Sequence, residues 1–163
     1  FDETIAFRDE LIQKIGAQLI VGSVQEAIDN GLAQDEKVAI KFYTLAADNG
    51  HATAQNNLAT RYREGWSVIQ DYAQSLRYRK MAAAQGHEYA QYSLAYEYFY
   101  GETGLIQNYI LAHQWSNIAA ANGHDYAMTF RKDVEKKMTQ ADISKAQAMA
   151  RECMSSDYKN CGY

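Results

Sequence analysis

Small and apolar residues recur along this chain in steps of three and four, and the whole arrangement then repeats. In one half of the unit Ala54, Leu58, Ala59 and Tyr62 return as Ala90, Leu94, Ala95 and Tyr98. Such spacing keeps all four on one face of a helix. In the other half the stripe runs Ala39/Phe42/Ala46, Ser75/Tyr78/Ala82 and Ala112/Trp115/Ala119, so a large side chain faces small ones one turn away. Asp35, Asp71 and Asn108 stand where a side-chain oxygen can cap these second helices. Gly65 and Gly101 close the first helices, and Gly50, Gly86 and Gly123, 36 and 37 residues apart, close the second. A fixed period in this range marks a stacked-repeat architecture. The pattern predicts helices over 17–29, 35–48, 51–64, 71–85, 87–100 and 108–122. They are expected to alternate antiparallel and to build an all-α, right-handed superhelix.

The ends depart from the period in a way that suits caps. Asp2–Ile15, with Ile5, Leu11, Ile12 and Ile15 apolar and Gly16 as its stop, predicts an N-terminal helix covering the first unit. A fourth unit starts at Asp125–Phe130 and then changes to the charged run RKDVEKKM. Thr139 to Asp142 is close to a capping box, and a last helix follows through Ile143, Ala146, Ala150 and Cys153. We therefore expect one domain over 1–163: a cap at 1–16, repeats at 17–50, 51–86 and 87–123, a degenerate repeat and cap at 124–153, and a tail at 154–163.

The motif A-Q-x-x-L-A/G-x-x-Y-x-x-G, a short loop, Q-D/N, then A-x-x-W/Y-x-x-x-A-A-x-x-G resembles the Sel-one-like repeat, a relative of the tetratricopeptide repeat. Three units cover Ala17–Gly123, and a further first half begins at Ala127. The first unit departs from the pattern, with Gln25 in place of tyrosine and Ile28 in place of glycine. The resemblance implies an adaptor or assembly scaffold, such repeats serving envelope processes, signalling and protein quality control.

Composition narrows this reading. The 163 residues include no proline, which suits a chain that is nearly all helix. A net charge of −4 with mixed signs provides no basic stripe for nucleic acid. No apolar run approaches the length of a membrane span. The chain begins at Phe1, which implies a removed leader or a trimmed start. Its only cysteines, Cys153 and Cys161, either close a small loop in an oxidising compartment or stay reduced in a tail. The resemblance favours the bridge and an exported, periplasmic or secreted, protein.

Candidate chemistry is sparse. His51, His87 and His124 each follow a closing glycine. Equivalent points of stacked repeats lie on the order of 10 Å apart, too far to converge on one ion, so polar residues at exposed turns are expected and no metal. No nucleophile motif or phosphate loop appears, and Glu64, Glu97 and Glu102 show no sign of convergence. Neither an enzyme nor a cofactor is expected.

The sharper signal is aromatic. Tyr89, Tyr92, Tyr96 and Tyr100 share a helical face that is not the face of Ala90, Leu94 and Tyr98. In the related tetratricopeptide fold the corresponding positions look into the concave groove. Carried over, this implies a site of Asn56, Asn57, Thr60, Arg63 and Glu64 from the second unit, and Tyr92, Ser93, Tyr96, Phe99 and Tyr100 from the third. Tyr126, Thr129 and Phe130 would follow from the fourth, and Leu19, Ile20 and Ser23 from the first. Tyrosine suits peptide contact, and asparagine can clamp a backbone through both donor and acceptor. Equally, the rings pack between adjacent first helices. The expected function is a protein- or peptide-binding scaffold, monomeric alone. The rivals are a structural subunit of an envelope complex and an enzyme acting on cell-wall or β-lactam-like compounds.

Overall fold

The computed structural model describes residues 36–162. Its helices are α1 (Glu36–Asp48), α2 (Ala52–Glu64), α3 (Tyr72–Ala83), α4 (Glu88–Tyr100), α5 (Tyr109–Ala121), α6 (Ala127–Glu135) and α7 (Gln140–Ser155). Among the described residues there is no strand. The expected N-terminal cap, the first helix of the first repeat, the Asp35 cap and the Leu19, Ile20 and Ser23 positions lie outside the described residues. The remaining helices fall within two residues of their expected limits. α2 pairs with α3 and α4 with α5, and each pair stacks on the next.

The repeat motif becomes a set of duplicated contacts. Ala54, Leu58 and Ala59 are fully buried, as are Ala90, Leu94 and Ala95 in the next unit. Gln55 donates to the Ala47 carbonyl and Gln91 to the Ala83 carbonyl, both at 3.0 Å. Gln85 donates to Gln55 Oε1 at 2.7 Å, and Asn122 to Gln91 Oε1 at 2.8 Å. One amide at the second motif position thus binds the helix before it and the hairpin's second helix. In the fourth unit Met128 takes that position and is exposed, so the ladder stops there.

The Q-D/N pair closes each hairpin. Gln70 donates to the Arg63 carbonyl and Gln107 to the Phe99 carbonyl, filling acceptors left over at the ends of α2 and α4. Asp71 and Asn108 accept the amides of Gln74 and Leu111 as N-caps. Gly65 and Gly101 sit at φ 73° and 71°. A Cβ there would stand 3.3 Å from Gln70 Cβ and 3.2 Å from the Gln107 nitrogen. Both conformation and space therefore call for glycine.

Two expectations about packing need correction. In α1 the fully inward aromatic is Tyr43, at 3% exposure with Ala46 and Ala47, whereas Phe42 is only half-buried. The histidines are not simply exposed: His51 and His87 are half-buried N-cap positions and His124 is buried. His87 accepts the Ala90 amide at 3.3 Å through Nδ1. The closing glycine turns the chain back over the helix it has left, which brings the next residue against the hairpin.

The C-terminal segment is fastened rather than loose. Cys153 and Cys161 are disulfide-bonded and both buried. A loop of this size adds about 2.5 kcal/mol by restricting the unfolded chain. Gln114 donates to the Cys161 carbonyl at 2.8 Å, and the Tyr158 hydroxyl meets Asn122. Thr139 caps α7 by accepting the Asp142 amide. The charged run after Phe130 belongs largely to α6, where it grips α5. Arg131 donates to Asn117 Oδ1 at 2.6 Å, and buried His113 lies 2.9 Å from Glu135. Burial lowers the pKa of His113, so the neutral ring donates its Nε2–H to that carboxylate.

Candidate binding face

On α4 the four tyrosines lie away from the core, whereas Ala90, Leu94, Ala95 and Tyr98 are buried in it. Tyr92 stacks on His124 at 4.1 Å, and Phe130 approaches its edge at 5.5 Å. Tyr96 contacts Tyr100 at 4.5 Å and Phe130 at 5.8 Å. Phe99 meets Tyr100, Tyr109 and Phe130 at 4.8, 5.3 and 5.4 Å. The rings therefore divide into two roles. Tyr92, Phe99 and Phe130 are half-buried and join the third unit to the fourth. Tyr96, Tyr100 and Tyr126 are 36%, 51% and 72% exposed. Burial raises the Tyr92 and Tyr96 hydroxyls above the ordinary tyrosine value and lowers His124, so these three rings are uncharged at neutral pH.

The equivalent face of α2 is polar. Asn57 is half-buried, Thr60 donates back to the Asn56 carbonyl at 3.2 Å, and Arg63 pairs with Glu64 at 2.7 Å. Ser93 on α4 is half-buried and Thr129 on α6 is exposed. Asn56 departs from the expected backbone clamp, because its Oδ1 accepts from Arg79 Nη1 at 3.2 Å. A buried guanidinium needs acceptors, and the nearest amide supplies one.

Arg79 was missed by sequence reasoning, and Glu97 was named there without its partner. They are 2% and 0% exposed and lie 3.2 Å apart, joining α3 to α4. Burial pushes the Glu97 carboxyl up, and Arg79, Arg63 and the Thr103 hydroxyl pull it back only in part. Burial likewise lowers Arg79. The available signal was that Arg79 follows Tyr78 on the inward side of α3, where the stripe otherwise reads as small or aromatic.

The expected scatter is corrected for two of the three carboxylates. Glu64 and Glu102 line one open cleft with Arg63, Tyr72, Tyr96 and Thr103, and Glu97 lies apart from it, buried against Arg79. The repeat stacking brings the loops after α2 and α4 side by side. The cleft's lining includes no histidine, cysteine or serine. Among the described residues no cluster of histidine, cysteine and carboxylates could hold a metal ion.

A profile of the Sel1 repeat matches residues 16–51, 52–87 and 88–124. The chain belongs to the Sel1 repeat family. The matched units coincide with the glycine-closed period, and the first includes the departures at Gln25 and Ile28. Among solved structures, c5321, described as a protective antigen of uropathogenic Escherichia coli with an SLR fold, superposes at a TM-score of 0.79. Identity is 24% over 90% of this chain, which spans only 32% of that protein. A Sel1 repeat protein from Oxalobacter formigenes superposes at 0.68, with 26% identity over 82% of this chain and 99% of that one. A search of curated protein sequences finds no match. These likenesses agree with the α/α solenoid expected from the period.

Proposed function

We propose that this Sel1 repeat protein is a non-enzymatic scaffold that holds a protein or peptide partner on the concave face formed by its first helices. The observation that carries this is the ring strip of α4. Tyr92, Phe99 and, from α6, Phe130 are held by packing, while Tyr96, Tyr100 and Tyr126 stay exposed, and Tyr96 shares a cleft with Arg63 and Glu64 of α2. A ring already ordered by its neighbours loses little rotamer entropy on binding, and tyrosine adds a hydroxyl to its apolar area. Asn57, Thr60, Ser93, Arg63 and Glu64 would supply polar contacts along the same path.

The buried disulfide supports work in an oxidising compartment, and hence export. Among the described residues no helix is long and apolar enough to cross a membrane.

The test is an affinity capture from the source's envelope extract with wild type and the Tyr96→Ala/Tyr100→Ala variant. A partner captured by wild type and lost with the folded variant is expected. Equal capture by both would sink the groove and leave a structural-subunit role in its place.

A further inference from the structure

Where α2 and α4 end, the loops that follow them enclose an open cleft of about 680 Å³. That volume lies within the range of small-ligand sites, and Arg63, Glu64, Tyr72, Tyr96, Glu102 and Thr103 are among its lining. Its electrostatics are one-sided. Arg63 is held by Glu64 through contacts of 2.7 and 2.8 Å, so those charges largely offset each other. Arg79 is matched by Glu97 in the same way. Among the described residues the Glu102 carboxylate has no ion-pair partner.

Two helix ends add to this excess. α2 stops at Glu64 and α4 at Tyr100, and both ends border the cleft. A helix C-terminus carries about half a negative charge on its last carbonyls, and cations gather there. The aromatic part of the lining acts in the same sense. Tyr72 and Tyr96 are 46% and 36% exposed, and the face of a tyrosine ring attracts a cation. An acidic side chain entering here would meet Glu102 and two negative helix ends. A neutral apolar one would desolvate Glu102 without replacing its water.

We propose that this cleft receives a lysine or arginine side chain of the partner, paired with Glu102 and lodged between Tyr72 and Tyr96. The proposal rests on the concave-face reading and gives it a chemical preference: a basic residue in the bound segment. The loops of the second and third repeats form the pocket together, so it exists only where two units stack.

The test needs no partner. The full chain, labelled with ¹⁵N, is titrated with N-acetyl-lysine N-methylamide, and with its norleucine and glutamate counterparts as neutral and acidic probes. The lysine probe should shift the amides of Glu64, Gly101, Glu102 and Gly104, and the effect should weaken with salt. Glu102→Gln should lower its affinity about three- to fivefold, the scale of an exposed ion pair. Arg63→Gln, which frees Glu64, should raise it, and Asp133→Asn on α6 should leave it unchanged.

Shifts as large with the norleucine or glutamate probe, none at these amides, or an unaltered titration in Glu102→Gln would each overturn the proposal. The two readings fail separately. Capture that survives Tyr96→Ala/Tyr100→Ala removes the groove and leaves the lysine-probe titration as the measure of the cleft alone. A lost probe response with capture intact removes the basic preference only.

Discussion

The units 52–86 and 87–123 share a skeleton and present opposite surfaces. Leu58 and Leu94, Gln55 and Gln91, Gln70 and Gln107, and Asp71 and Asn108 make equivalent contacts one period apart. On the outer face of the first helix, Asn56, Thr60, Arg63 and Glu64 give way to Tyr92, Tyr96, Phe99 and Tyr100. The difference teaches that stacking constrains one side of each helix and leaves the other open to function. It also shows a cost of the aromatic choice: the third unit needs Phe130 and His124 of the fourth to order its rings.

The harshest way to break the comparison is to cut the bond between the two units. Arg79→Met or Glu97→Gln alone should destabilise by about 3–5 kcal/mol, because each leaves a buried group unpaired. Arg79→Met with Glu97→Leu should recover most of that loss in chemical denaturation. Recovery would assign the pair to specificity of stacking rather than to net stability.

If the skeletons are equivalent, Leu58→Ala and Leu94→Ala should cost alike, about 2–5 kcal/mol each. A near-neutral result at either leucine would refute the shared register. Gln55→Ala and Gln91→Ala should each cost about 1–3 kcal/mol by leaving backbone carbonyls unsatisfied, with matched melting shifts.

The smallest effect separates the histidines. Burial lowers the pKa of His87, His113 and His124. The unfolded chain therefore takes up protons first as pH falls. The stability these rings contribute is present above about pH 6.5 and is lost as pH falls from there toward their lowered values. Glu97, shifted upward, acts in the opposite sense in the carboxylate range above its ordinary value. Melting should be lower at pH 5.5 than at pH 7.5, and the gap should narrow in His124→Gln. An unchanged gap in that variant would remove the ring stack on Tyr92 from the pH response.

Most of the architecture was legible because stacked repeats restate it. In the repeats of 71–123 most helix limits are marked by a cap or a glycine whose reason is local, and the period supplies further copies of these markers. The α4 tyrosine face was legible for the same reason: spacing by three and four needs no tertiary information. What could not be read was which rings stay exposed, since Tyr92 and Tyr96 are one turn apart and differ only in what the fourth unit brings to them.

The amino-acid order by itself determined the repeat, the limits of α1 to α5 to within two residues, and the two faces of α2 and α4, since all are set within a few turns of chain. Only the tertiary structure decided that Arg79 would pair with Glu97, that Asn56 would serve that guanidinium, and that Glu64 and Glu102 would share a cleft. Those pairings cross from one unit to the next, and their geometry follows from the stacking of whole hairpins rather than from local spacing.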